Sequence, residues 1–418
     1  MNKLKEHMKL IIEKIISTSK PDKSVEKTLN DILSKQELNN ITLIAIGKAA
    51  WRMAKAAKDT LKDKIKSGIV ITKYNHSEGE IEGIEIYEAG HPVPDENTIR
   101  ATQRVLDMTK NLSEKDTVLF FVSGGGSALF EIPADGITLE EIQDLTNQLL
   151  KSGANIIEIN TIRKHLSKVK GGRFAQHVYP AKVISLILSD VLGDRLDSIA
   201  SGPAYPDSST SQQALEIIKK YNIKVSEKII EALKNETPKE LTNVESHIIG
   251  SVKIACETAK NTAEELGYNT ILLTTNLSCE AREAGKFLAS IAKEILENDR
   301  PVKKPCAVIL GGETVVHVKG TGKGGRNQEL ALSFAIEIEG MENVTLCSFG
   351  TDGTDGPTDA AGGIVDGETC QKIRQAGYSP EVFLENNDAY NALKISGDLL
   401  ITGSTGTNVN DVIVMLIG

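Results

Sequence analysis

The chain has no C-x-x-C pair, no compositionally biased tract, and no unbroken apolar run longer than about six residues, as in VISLIL. Each absence closes off a class. The five cysteines, Cys256, Cys279, Cys306, Cys347 and Cys370, are odd in number and far apart. That excludes a disulfide frame or a zinc site and predicts reduced thiols, mostly small core residues. The apolar runs fall far short of the ~20 residues of a membrane helix. A net charge of −9 argues against a general nucleic-acid or anionic-membrane surface. An anionic ligand would have to be met by a few local cations, so Lys and Arg residues in glycine-rich loops carry weight. The first residues, MNKLKEHMKLIIEKIIS, lack the plan of a signal peptide; Leu4, Met8, Ile11, Ile12 and Ile15 recur at helical spacing instead. The expectation is a soluble, cytoplasmic protein.

What is present is an ordinary globular composition, 40% hydrophobic and 25% charged, over 418 residues, enough for more than one core. Short β-rich runs alternate with amphipathic helical stretches: ITLIAI, GIVIT, IEIY, TVLFFV and VISLIL, separated by patterns such as TLEEIQDLTNQLLKSG. Near-continuous apolar strands with helical crossovers predict a parallel sheet covered on both faces. The polar interval Lys234–Ser246 reads as a linker. Beyond it come HIIGS, a helix to Leu266, TILLTT, and then CAVIL and TVVHV around Gly311, Gly312 and Glu313, a pattern that predicts a hairpin. VTLCSFG and DVIVMLIG complete the strands. The predicted fold is α/β with two domains: a larger Rossmann-like parallel-sheet domain over residues 1–240, and a smaller α/β domain with a mixed sheet over 241–418.

Ligands of parallel sheets gather beyond the carboxyl ends of the strands, so polar residues there are the first candidates. Lys48 follows ITLIAI at the start of a helix, where the dipole gives a cation nothing; a ligand partner explains it better. Ser123-Gly124-Gly125-Gly126-Ser127 follows TVLFFV, and three glycines after a strand allow amides to converge on an anion. Asp190 follows VISLILS, placed to hold magnesium or accept a hydroxyl proton. Among Asp352, Asp355 and Asp359, Asp352 lies nearest its strand and is favoured over the others, which read as turn formers. His91, between Gly90 and Pro92, reads as structural. The cluster Arg163, Lys164, His165, Lys168, Lys170 and Arg173 reads mostly as a solvated face.

Gly320, Gly322 and Gly325 satisfy G-x-G-x-x-G, the dinucleotide fingerprint, but follow a predicted hairpin rather than the first strand of a βαβ unit. A Walker loop fails too, since Gly324 follows Lys323 where Ser or Thr should hold magnesium. What remains is Arg326 opening a helix, RNQELALSFAIEI, whose positive end would favour an anion.

IGKAAWRMAKAA, GHPVPDE, FFVSGGGSALF, NTIRKHLSKVKGGR, LSDVLGDRLDSIASGP, GGETVVHVKGTGKGGRNQELAL, GTDGTDGPTDAAGG and TGSTGTNVND together resemble the glycerate 2-kinases of the MOFRL type (class II glycerate kinases). The match runs in order from about Gly47 to Asp411. The resemblance implies phosphorylation of D-glycerate at its 2-hydroxyl by ATP with Mg2+, giving 2-phosphoglycerate and ADP. It also implies an active site in the cleft between the two domains. It matches Lys48 and Arg326 to the family's catalytic cations, and Asp190, Glu313, Asp352 and Asn408 to polar positions of that cleft. The expected roles follow: Lys48, Asp190 and Arg326 catalytic; Ser123, Gly124, Gly125, Gly126, Ser127, Lys323 and Asn408 binding substrate or nucleotide; Asp190, Glu313 and Asp352 holding metal. The expected partners are small molecules, with no nucleic acid or membrane, for a monomer or homodimer. The rivals are a nicotinamide-dependent hydroxypyruvate reductase, resting on the G-x-G-x-x-G match, and a metabolite sensor that binds without turnover.

Overall fold

The computed structural model describes residues 3–418. The first sheet holds β1 (Ile41–Ile46), β2 (Ile65–Lys73), β3 (Ile84–Ala89), β4 (Thr117–Val122), β5 (Lys182–Leu188) and β6 (Val244–Gly250), in the order β3-β2-β1-β4-β5-β6. The pairs β1–β2, β2–β3, β1–β4 and β4–β5 are parallel. This is the doubly wound order, whose direction of winding reverses between β1 and β4. Every residue of β1 and β4 is buried, as strands covered on both faces require. Phe120, Phe130 and Phe174 pack in this core with ring centroids 4.7–6.0 Å apart.

The second sheet holds β7 (Asn269–Leu277), β8 (Cys306–Gly312), β9 (Val344–Gly350), β10 (Gly362–Asp366), β11 (Leu399–Leu400) and β12 (Asp411–Ile417), ordered β11-β10-β9-β12-β8-β7. Only β7–β8 pair in parallel among its recorded neighbours; β8–β12, β12–β9, β9–β10 and β10–β11 are antiparallel. The expected pairing of a parallel-sheet unit with a mixed-sheet unit is therefore present.

Two expectations need correction. TVVHV forms no returning strand: beyond Gly312 the chain leaves the sheet, Val315 keeps one isolated bridge to Glu280, and Val318 is 74% exposed. Alternating β-branched residues were not enough without a partner strand to cover them. Both β8 and β9 run antiparallel to β12, so they are parallel to each other, and the helix Arg326–Glu337 connects them. The compact units also do not divide at residue 240. One comprises Pro21–Ile249, and the other takes Gly250–Gly418 together with the residues up to Lys20. The helix Lys3–Ser19 joins the second unit through its apolar stripe and through Lys5, whose ammonium lies 2.8 Å from Asp366 and 2.9 Å from Asp398.

Candidate active site

In the first unit, three strand ends meet at the winding reversal. Ile46 of β1 lies beside Val122 of β4, and Val122 beside Ile187 of β5. Lys48, Gly124–Gly126 and Asp190 follow these three ends, and the turns are tied together. The Lys48 N–H donates to the Gly124 carbonyl at 2.9 Å, and the Ser123 N–H to the Ile46 carbonyl at 3.0 Å. Close approach explains the glycines. A Cβ on Gly124 would lie 2.3 Å from Asp190 Oδ2. One on Gly125, whose φ is +86°, would lie 2.9 Å from the His91 ring and 3.4 Å from Lys48 Cγ. Among the described residues, the N–H groups of Gly124 and Gly125 meet no protein acceptor, and the Lys48 ammonium makes no hydrogen bond. Burial pushes the Asp190 carboxyl above its usual range, and the Lys48 charge pulls it partly back. His91, expected to be structural, lies against this turn; burial, then the charges of Lys48, Lys73 and His76, hold its imidazole below its usual range.

The two serines serve the turns themselves. Ser123 Oγ accepts the Ala49 N–H at 3.0 Å and donates to the Ile46 carbonyl at 3.2 Å, so its one proton is used within the turn. Ser127 Oγ is 3.1 Å from Ser201 Oγ.

In the second unit, Arg326 is held by a residue that no sequence pattern singled out. Its Nε donates to Asp411 Oδ2 at 2.5 Å and its NH2 to Asp411 Oδ1 at 3.0 Å. NH1 lies 3.2 Å from Glu313 Oε1. Asp411 is 2% exposed and Glu313 about half exposed. A buried bidentate pair fixes a guanidinium edge, whereas an exposed ion pair contributes only ~0–1 kcal/mol.

The positive end of the helix Arg326–Glu337 is already capped. Asp355 Oδ1 accepts the Asn327 N–H at 3.2 Å, and Oδ2 the Gln328 N–H at 2.9 Å. Two N–H groups of the first turn are thus taken by a side chain, and Asp355 is a cap rather than a turn former. Burial, opposed by those two N–H bonds, pushes its carboxyl up to about 6. Because the folded value exceeds the ordinary carboxylate value, the folded state binds this proton first. This group's contribution to stability therefore rises as pH falls from about 6 toward 4. Urea titrations of wild type and Asp355→Asn should show wild type gaining about 1 kcal/mol on the variant between pH 7 and pH 5; an unchanged difference would contradict this assignment.

Most of the glycine loop's amides are likewise engaged. Five consecutive N–H groups are taken within the protein: Lys319 and Gly320 donate to Asn387 Oδ1 at 2.8 and 3.0 Å, and Thr321 to Asn386 Oδ1 at 3.1 Å. Gly322 donates to the Asn386 carbonyl at 3.0 Å, and Lys323 to Asp388 Oδ1 at 2.8 Å. The strand–helix context of a dinucleotide loop exists after all, but these amides cannot also hold a pyrophosphate.

Other expected site residues have local partners. Lys323 Nζ lies 4.1 Å over the Tyr390 ring, Asn408 Oδ1 accepts the Asn410 N–H at 3.2 Å, and Asp352 Oδ1 accepts the Thr354 N–H at 2.9 Å. Among the described residues no three His, Cys, Asp or Glu side chains gather as metal ligands. The basic segment after Asn160 is not mainly a solvated face. Lys164 and Lys170 are buried, Lys164 between Asp197 and Asp207, Lys170 against Glu131.

Residues 7–234 match the model of a domain of unknown function, DUF4147, and residues 306–411 that of the MOFRL family. The chain is 63% identical to D-glycerate 2-kinase of Thermotoga maritima over 97% of each sequence. It superimposes on a crystal structure of glycerate kinase from Thermotoga maritima with a TM-score of 0.97, at 62% identity and over 99% of each chain. A relative from Agrobacterium vitis, whose name assigns it provisionally to the hydroxypyruvate reductases, is 40% identical over 92% of this chain and 89% of its own. No helix among the described residues is long and apolar enough to cross a membrane.

Proposed function

The chain belongs to the family of MOFRL-type glycerate kinases, and from that premise we infer that it is a glycerate 2-kinase. It transfers the γ-phosphoryl group of ATP to the 2-hydroxyl of D-glycerate, giving 2-phosphoglycerate and ADP. The observation that carries this reading is the near-complete, high-identity match to a D-glycerate 2-kinase. The strand-end cluster supports it independently. Phosphoryl transfer asks for positioning and charge neutralisation more than covalent chemistry, and a lysine with no ion pair, on a turn tied to open backbone amides, supplies both.

The residue roles are part of the proposal. Lys48 neutralises charge on the transferring phosphoryl oxygens. The free Gly124 and Gly125 amides hold an oxyanion, from a phosphate or from the glycerate carboxylate. Asp190, raised by burial yet beside Lys48, accepts the hydroxyl proton as the glycerate oxygen bonds to phosphorus and the bond to ADP breaks. Arg326 presents its guanidinium to an anionic group of a substrate. Mg2+ usually takes one or two protein carboxylates and completes its shell with phosphate oxygens and water. Asp190, a strand-end carboxylate with no ammonium or guanidinium hydrogen-bonded to it among the described residues, fits that requirement; the ion, when bound, neutralises phosphate charge. Lys323, Ser123, Ser127, Asn408 and Asp352 support the loops that carry these groups rather than meeting substrate. The same reading has a cytoplasmic enzyme acting on small molecules as a monomer or homodimer.

Nicotinamide-dependent reduction of hydroxypyruvate is favoured by the Agrobacterium relative's name, and the engagement of the amides of residues 319–323 within the protein opposes it. ADP release from Mg-ATP and D-glycerate, run in parallel with enolase and no mutase, tests the proposal. Glycerate-dependent ADP with immediate enolase turnover is expected. ADP without enolase turnover would move the phosphate off the 2-position, and NADH oxidation by hydroxypyruvate without ADP release would install the reductase.

A further inference from the structure

Arg326 has one anchored edge and one exchangeable edge. Asp411, at the first residue of β12, takes Nε and NH2 together. Its carboxylate is almost fully buried and sits between the ends of β8 and β9, opposite Gly312 and Gly350. That edge cannot turn away without leaving a buried carboxylate unpaired. Among the described residues the other edge, NH1, is covered only by Glu313, a half-exposed side chain on the first residue beyond β8. Several other N–H groups nearby are taken within the protein. Asp355 takes the Asn327 and Gln328 N–H groups of the helix that Arg326 opens, and the amides of residues 319–323 bond to residues 386–388.

From this asymmetry we propose that Glu313 is a placeholder anion rather than a metal ligand. It covers the one edge of Arg326 that meets a substrate oxyanion, and it is displaced when that anion binds, while Asp411 is the positioning residue that keeps the edge aimed. The inference deepens the kinase reading and rests on it for the role of Arg326. The ligand chemistry is an oxyanion, from a nucleotide phosphate or the glycerate carboxylate. A charge-for-charge exchange at a half-exposed arginine edge has a distinctive sign: removing the protein's own carboxylate should tighten binding.

The test uses the full chain carrying Glu313→Gln or Glu313→Ala, exposed substitutions that leave the core untouched. Calorimetric titration with ATP in metal-free buffer, and separately with D-glycerate, should show one of the two binding about two- to fivefold more tightly than to wild type. The KM for that substrate should fall in parallel. Tighter ATP identifies a phosphate, and tighter glycerate the carboxylate. Unchanged or weaker binding of both, or a higher Mg2+ requirement in the variants, overturns the placeholder role. Asp411→Asn should lower kcat roughly tenfold or more with KM changed less; a pure KM effect would refute positioning. Absence of glycerate-dependent ADP in wild type would sink the kinase reading alone, because the two titrations need no turnover.

Discussion

Replacing Lys48 by alanine should lower glycerate-dependent turnover by roughly 10²–10³-fold while leaving the melting temperature unchanged or slightly higher. The two halves of that result have separate causes. Lys48 lies at the winding reversal of the first sheet, its stem against Gly125 and its charge felt by Asp190, without a hydrogen-bonded carboxylate among the described residues. A cation with no structural partner loses nothing structural when removed. It also stands just before the helix Ala50–Leu61, where the positive helix end disfavours it by about 0.3–1 kcal/mol. Its presence therefore costs stability slightly, and its charge is expected to count only when negative charge develops on a transferring group. Single-turnover rates and thermal melts of Lys48→Ala settle the matter together. Near-normal turnover would remove Lys48 from the mechanism. Lost turnover with a collapsed melt would make it a structural residue.

The second large effect concerns stability. Lys170→Met should destabilise the protein by about 3–5 kcal/mol. Lys170 is fully buried; its ammonium donates to the Phe130 carbonyl at 2.8 Å and to Glu131 Oε2 at 2.5 Å. Burial pushes the ammonium toward deprotonation, and the Glu131 carboxylate opposes that. Removing the lysine leaves Glu131, 3% exposed, without its cation. The double variant Lys170→Met with Glu131→Leu should recover most of the loss, because two apolar groups leave no orphaned charge. Urea unfolding of the single and double variants provides the comparison. A double variant no better than the single would mean that shape, not charge, explains the loss. Phe130 and Glu131 follow directly on the helix Gly126–Leu129, so the same pair steadies the turn that carries the open amides.

The first sheet was legible because its strands are nearly continuous apolar runs with helical patterns between them, and the positions of Lys48, Gly124–Gly126 and Asp190 followed from where those runs stop. What lay beyond local pattern was partnership. Asp411 opens an apolar strand and looks like its boundary residue; nothing nearby in sequence connects it with Arg326, 85 positions earlier. Lys164 and Lys170 sit in a segment rich in cations and read as solvent-facing, because Asp207 and Glu131 are 43 and 39 residues away. The glycine loop misled in a different manner. Its spacing matched a phosphate-binding motif, but the acceptors for its amides come from Asn386, Asn387 and Asp388, more than sixty positions on. Glycines report that a backbone comes close to something, not what that something is.

The helix Lys3–Ser19 belongs with the segment after Gly250, so the unit spanning Pro21–Ile249 is a guest inserted into a host. Synthesis runs from one end. The guest is therefore made before any strand of its host's sheet. β12, made after the other strands of its sheet, is not an edge strand that could be added late to a finished sheet; it lies between β8 and β9, bonded to both. The host sheet stays split until that strand arrives, and the residue that arrives with it is Asp411. Maturation of this chain is thus ordered by its topology: the fold of the second unit and the anchoring of Arg326 are completed by the same seven residues, in the same event.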